Sequence, residues 1–189
     1  MVRKPKGGLR LCVDYKVTLN KYLKLNHYQI PLISEIYTKL AGSKIFSTID
    51  LKSAYNQVPL DEESRNITVI STPIGLYKYN VLPFGLATAP SIFQRVMDTI
   101  LADVPECVVY IDDIIVGAQD EADHKRILIT VLYRLNSFGV RLAKDKGIWG
   151  EPTVKFLGHI LFHDKIHRDP TKIAALRSCV APRSRIFWE

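Results

Sequence analysis

Along this chain the spacing of apolar residues switches repeatedly between a period of two and one near 3.6, and each switch marks an element. Leu9, Leu11, Val13 and Tyr15 alternate with their neighbours, which predicts a half-buried strand over Leu9–Tyr15 after the basic turn Arg3–Gly8. Tyr28–Pro31 reads as extended. Leu32, Ile33, Ile36, Tyr37 and Leu40 then fall at helical spacing, with Gly42 as the stop. Ile45–Asp50 is a strand ending in a carboxylate. Ile67–Thr72 and Leu76–Leu82 flank Pro73-Ile74-Gly75, a hairpin signal. From Pro90, the residues Ile92, Phe93, Val96, Met97, Ile100 and Leu101 mark one helix face. Two β-branched runs, Val108-Val109 and Ile114-Ile115-Val116, enclose Asp112-Asp113. A second helix starts near Asp120, turns Ile127, Leu128, Val131, Leu132, Leu135 and Phe138 inward, and closes at Gly139. Val154–His167 reads as a further hairpin, and Asp169-Pro170-Thr171 opens a short helix. Strands and helices mix without βαβ alternation. The expected class is α+β, an antiparallel sheet with helices packed on one face.

Composition narrows the partners. Hydrophobic residues make up 47% of 189, enough for a packed interior. Lys and Arg number 26 against 19 Asp and Glu, a net charge of +7, which favours polyanions. Cys12, Cys107 and Cys179 are odd in number and far apart, with neither metal-ligand spacing nor a disulfide framework. No signal-peptide pattern follows Met1, and no apolar run approaches the roughly 20 residues that span a bilayer. The expectation is an intracellular chain, in cytoplasm or nucleus, neither secreted nor bound to membrane.

The chemistry concentrates at Asp112-Asp113. Adjacent carboxylates raise each other's pKa unless a cation neutralises them, and a hard, oxygen-seeking Mg²⁺ suits such a pair. A solvated turn is the bland alternative, since Asp is common in turns. Asp50 changes the balance because it also ends a strand, Ile45–Asp50. If the strands are neighbours, Asp50, Asp112 and Asp113 converge. Converging carboxylates can hold two metal ions about 4 Å apart, the arrangement for in-line phosphoryl transfer.

Five ordered motifs then carry a resemblance. Arg10–Tyr15, Phe46–Tyr55, Leu82–Gln94, Tyr110-Ile111-Asp112-Asp113 and Phe156-Leu157-Gly158-His159 resemble, respectively, the fingers strand, first palm motif, second motif, catalytic Tyr-x-Asp-Asp box and primer-grip region of reverse transcriptases from gypsy-type long-terminal-repeat retrotransposons. The resemblance implies a polymerase palm with part of the fingers, spanning residues 1–175. Fingers would occupy about 1–25 and 58–82, and palm about 26–57 and 83–170, followed by a divergent tail at 176–189. It implies an RNA-directed DNA polymerase using two Mg²⁺ ions, with Mn²⁺ as a substitute. Its partners would be an RNA or DNA template, a primer strand and deoxynucleoside triphosphates. Asp50, Asp112 and Asp113 would be catalytic metal ligands, joined by the Leu51 carbonyl. Tyr55 would be the steric gate against a 2′-hydroxyl. Phe84 and Gly85 would lie near the incoming base, glycine allowing close backbone approach. Arg10, Lys4, Lys144 and Lys146 would meet the triphosphate, with the choice between the last two open. Phe156, Leu157, Gly158 and His159 would form the primer grip.

Beside such relatives the thumb, connection and RNase H regions are expected to be absent, and the sequence after Pro182 departs from the pattern. A non-catalytic remnant that folds or binds nucleic acid without turnover is the alternative. His159, His163 and His167 recur every four residues, but on a strand such positions lie about 13 Å apart, too far to share an ion. Asp14 reads as a structural hydrogen-bonding residue.

Overall fold

The computed structural model of the chain describes residues 2–3, 9–10, 13–24, 28–163 and 165–171. Strands β1 (Val2–Arg3) and β2 (Leu9–Arg10) form a short antiparallel pair. The strand expected through Tyr15 does not reach it: Val13–Tyr15 is irregular, and Tyr15 is drawn into the main core. Asp14 Oδ1 accepts the Lys16 N–H and sets the turn that follows. Helix α1 (Ile33–Leu40) buries Ile36, Tyr37 and Leu40 on one face, and Glu35 accepts the Leu32 N–H at its start. Gly42, at φ +81°, takes the left-handed conformation that stops it.

Next come β3 (Ile45–Asp50), a 3-10 turn at Ala54–Gln57, and α2 (Glu62–Ile67). The pattern of apolar residues did not predict α2, and Ile67 belongs to it rather than to the next strand. Its signals are polar: Asp61 accepts the Ser64 N–H, Glu62 and Glu63 fill the first turn, and Arg65 the last. Strands β4 (Val69–Thr72) and β5 (Gly75–Lys78) make the expected hairpin, shorter than foreseen. Helix α3 (Ala89–Ile100) is followed by β6 (Cys107–Tyr110), β7 (Asp113–Ala118) and α4 (Glu121–Ser137). Phe138 caps α4 and is 58% exposed, not inward, because it lies past the last helical turn. A 3-10 turn at Lys144–Lys146 leads into β8 (Ile148–Glu151), then β9 (Thr153–Phe156), β10 (His159–Phe162) and β11 (Lys165–Arg168). The stretch read as one hairpin is thus a three-stranded sheet.

The central sheet has the order β6-β7-β3-β8, and every pairing in it is antiparallel. Helices cover both faces, not one. Ile49, Val109, Ile114 and Val116 pack with Phe93 and Met97 of α3 and with Ile127, Val131 and Leu135 of α4. Phe46, Val108 and Ile115 pack with Ile36 and Leu40 of α1 and with Val154 and Phe156. Continuous apolar runs in β6 and β7 leave no face that water can wet, so both need cover.

A buried polar contact joins the sheet to α4. Ser47, fully buried on β3, accepts the Gly150 N–H at 2.9 Å, and its Oγ lies 3.0 Å from Nε2 of His124 on α4. Burial disfavours the imidazolium and pushes the His124 pKa below its ordinary value. Neutral His124 therefore stabilises the fold fully above about pH 6.5. That contribution is lost as pH falls through the window just beneath. Urea unfolding of wild type and His124→Gln across this range should show a steeper acid loss for the wild type. Parallel profiles would contradict the assignment.

Candidate active site

An unbroken register sets the site. β3 pairs with β7 from Ile45 opposite Ala118 to Asp50 opposite Asp113. Residues directly opposed in an antiparallel pair lie about 4.5–5.5 Å apart at Cα, so Asp50 and Asp113 are neighbours at one end of the sheet. Side chains alternate along a strand. Phe46 and Ile115 point to the α1 side, so Asp50 and Asp113, an even number of positions away, project there too.

Asp112 sits at the tip of the adjoining hairpin. Tyr110 pairs with Asp113, which leaves only Ile111 and Asp112 to turn the chain. Ile111 adopts φ +57°, a left-handed conformation unfavourable for a β-branched residue. Gln94 of α3, fully buried, braces this strain. Its Oε1 accepts the Ile111 N–H at 2.7 Å, and its Nε2 donates to the Val109 carbonyl at 3.0 Å and to Asp98 at 2.9 Å. Gln94 ends one of the sequence motifs but drew no role there. A buried glutamine on an otherwise apolar helix face was the available signal.

The aromatic side of the site forms beyond the end of β3. Tyr55 is half-buried, its ring 5.1 Å from Phe84 and 5.4 Å from Phe93. Burial first, and the Asp112 charge second, push the Tyr55 hydroxyl pKa up. The structure thus gathers Tyr55, Phe84 and Asp112 in one locality. Gly85, at φ +104°, does make a close approach, but to protein: a Cβ there would stand 2.1 Å from the Val13 carbonyl oxygen. Asn20 holds this loop from both sides, donating to the Gly85 carbonyl and accepting the Ala87 N–H, each at 2.9 Å. Nothing in the local pattern around Asn20 signalled that clamp.

On the other edge of β3, the segment before β8 brings a cation. Ala143 N–H donates to the Asp50 carbonyl, and Leu51 bridges Leu142. Lys146 Nζ then donates to both Asp50 carboxylate oxygens, at 2.9 and 2.8 Å. Of the two lysines left open by sequence, Lys146 reaches the acidic site, while Lys144 is an exposed residue two positions earlier. The β9–β10 turn lies alongside: Leu157 and Gly158 both have positive φ, and Asp50, Asp113, Lys146, Phe156 and Leu157 line one cavity of about 120 Å³. Phe156 itself is 4% exposed and belongs to the core, so the turn faces the cavity chiefly through its neighbours. His159 packs edge-on against Tyr37. Arg10 lies on β2, where only its backbone is described, and Lys4 and the tail at 176–189 lie outside the described residues.

Among the described residues no three His, Cys, Asp or Glu side chains stand ready-made around one point. That includes His159, His163 and His167, of which the first and last lie on the paired strands β10 and β11. Asp50, Asp112 and Asp113 nonetheless fit a divalent cation by donor chemistry, all hard oxygens. In the structure the Lys146 ammonium supplies the positive charge at Asp50.

Comparison with known proteins places the chain in a family. Residues 2–161 match the family described as reverse transcriptase (RNA-dependent DNA polymerase), and the chain belongs to it. It is 42% identical over 154 residues to an enzymatic polyprotein of Cauliflower mosaic virus, covering 81% of this chain and 22% of that one. It is 38% identical over 160 residues to the Transposon Tf2-3 polyprotein of Schizosaccharomyces pombe, covering 84% of this chain and 12% of that one. The chain therefore spans less than a quarter of the length of these curated relatives. Among solved structures, a foamy viral protease-reverse transcriptase in complex with ds DNA superposes with a TM-score of 0.87 at 27% identity, covering 96% of this chain and 32% of that one.

The brace on the turn is testable. Gln94→Leu leaves the Ile111 N–H and the Val109 carbonyl buried without their partner, which should lower stability by about 1–3 kcal/mol in urea unfolding. A change below about 0.5 kcal/mol, the usual scatter of surface substitutions, would contradict the role.

Proposed function

We propose that this chain is the polymerase core of a gypsy-type retrotransposon reverse transcriptase, adding deoxynucleotides to a primer 3′-hydroxyl on an RNA or DNA template. The observation that carries the reading is the register that sets Asp50 opposite Asp113, one residue past the turn residue Asp112. Residues 1–25 and 58–82 would serve as fingers, and 26–57 with 83–170 as palm. Such a chain works where deoxynucleoside triphosphates are, in cytoplasm or nucleus.

Asp50, Asp112 and Asp113, with the Leu51 carbonyl, would hold two Mg²⁺ or Mn²⁺ ions. When bound, such ions would supply Lewis-acid stabilisation of the primer alkoxide and of the charge on pyrophosphate. The protein's own groups do the rest. The primer oxygen bonds to the α-phosphorus as the bond to pyrophosphate breaks, and the hydroxyl proton passes to solvent. Tyr55, backed by Phe84 and Phe93, is rigid enough to fill the space a 2′-hydroxyl would need. Asn20 fixes the Phe84–Gly85 loop against which a base would stack. Arg10, Lys4 and Lys146 supply cations for the triphosphate, and Lys144 adds exposed positive charge nearby. Leu157, Gly158 and His159, supported by Phe156, form the turn that would steady the primer end.

Primer extension on poly(rA)/oligo(dT) with Mg²⁺ or Mn²⁺ tests the reading. The wild type should extend the primer, and Asp112→Asn should cut the rate on the order of 10²–10³-fold, the scale of losing one preorganised electrostatic group. Binding of template-primer without extension by the wild type would support the non-catalytic remnant instead. In the same assay Tyr55→Ala should admit ribonucleotides. Unchanged sugar selection would remove the gate role.

A further inference from the structure

We propose that Lys146 is the resting counter-ion of Asp50, which a divalent cation must displace to occupy the site. The inference rests on the metal-binding reading of Asp50, Asp112 and Asp113, and it adds an exchange of one cation for another.

Three observations carry it. Both Asp50 carboxylate oxygens, the atoms a metal would need, are engaged by the same ammonium at 2.9 and 2.8 Å. The lysine is brought there by backbone. The Lys52 N–H donates to the Arg141 carbonyl and the Ala143 N–H to the Asp50 carbonyl, each at 2.9 Å, and β8 continues along the same edge of β3. Gln57 clamps Arg141 from both sides, accepting its N–H at 2.7 Å and donating to its carbonyl at 3.0 Å. A tethered ammonium of this kind has a high effective concentration at its partner. Third, the pair is open enough to exchange: the side chains of Lys146 and Asp50 are 54% and 32% exposed. Lys146 can swing into water without crossing the core, so release is easy and the ion pair is weak.

The consequence is a site that keeps its acidic partner neutralised and ordered before the divalent ion arrives. Metal affinity is then lowered by the competition. For an exposed pair the effect is modest, up to about fivefold.

The test uses the full chain and Mn²⁺ alone, with binding followed by loss of the free-ion EPR signal. Lys146→Met should bind Mn²⁺ about two- to fivefold more tightly than wild type. Lys125→Met removes the same charge from an exposed position on α4, which follows the far end of β7 from Asp113, and should leave binding unchanged. Acylation of Lys146, read by peptide mass spectrometry with Lys125 as internal reference, should speed up when Mn²⁺ is added. Equal or weaker Mn²⁺ binding by Lys146→Met, an equal gain in Lys125→Met, or unaltered Lys146 labelling would overturn the exchange while leaving the metal reading intact. Failure of wild type, Lys146→Met and Lys125→Met alike to bind Mn²⁺ would overturn both.

Discussion

The pairing of β3 with β7 is the constraint on which the rest depends. A strand register is a discrete choice: a slip of one residue would send Asp50 to the opposite face from Asp113 and put Phe46 and Ile49 each into the core built for the other. Burial holds the register, since Phe46 and Ile115 are locked into one core and Ile49 and Ile114 into the other. The same alternation that makes both faces dry leaves the ends of these strands as places where carboxylates can meet solvent. The acidic cluster is thus a by-product of a sheet buried on both sides, positioned by hydrophobic packing against the repulsion between like charges.

Around that end three side-chain amides, Gln94 buried and Asn20 and Gln57 half-buried, have positional tasks. Gln94 supports a strained turn that Ile111 would not adopt unaided. Asn20 holds the Phe84–Gly85 loop, and Gln57 holds the approach to Lys146. The three side chains reach the backbone of segments remote in sequence, which is how side-chain amides, with both donor and acceptor, pin irregular chain.

Much of the fold was legible in the sequence wherever burial left a periodic trace. Strand β3 ends at Asp50 as foreseen, and α1, α3 and α4 fall close to their predicted spans, because each has a strong apolar period or clear caps. Helix α2 was missed because it buries no residue, so nothing in its apolar spacing could announce it. Strand β8 was missed for the same reason, all four residues being exposed. Helices on both faces could have been inferred from the unbroken Ile114-Ile115-Val116 run, which has no polar side. Asp50, Asp112 and Asp113 were legible as candidates because two strands visibly ended in acids. The partner of Asp50 was not, since Lys146 lies 96 residues away and its place depends on an edge pairing that only the assembled sheet creates.

The central claim is that Asp50, Asp112 and Asp113 enclose paired divalent ions, and anomalous diffraction tests it most directly. Crystals of the chain with primer-template, an unreactive deoxynucleotide analogue and Mn²⁺ should give two anomalous peaks about 4 Å apart, within bonding distance of those carboxylates. Peaks elsewhere, or ordered nucleotide at this end of the sheet with no Mn²⁺ beside Asp50 and Asp112, would contradict it.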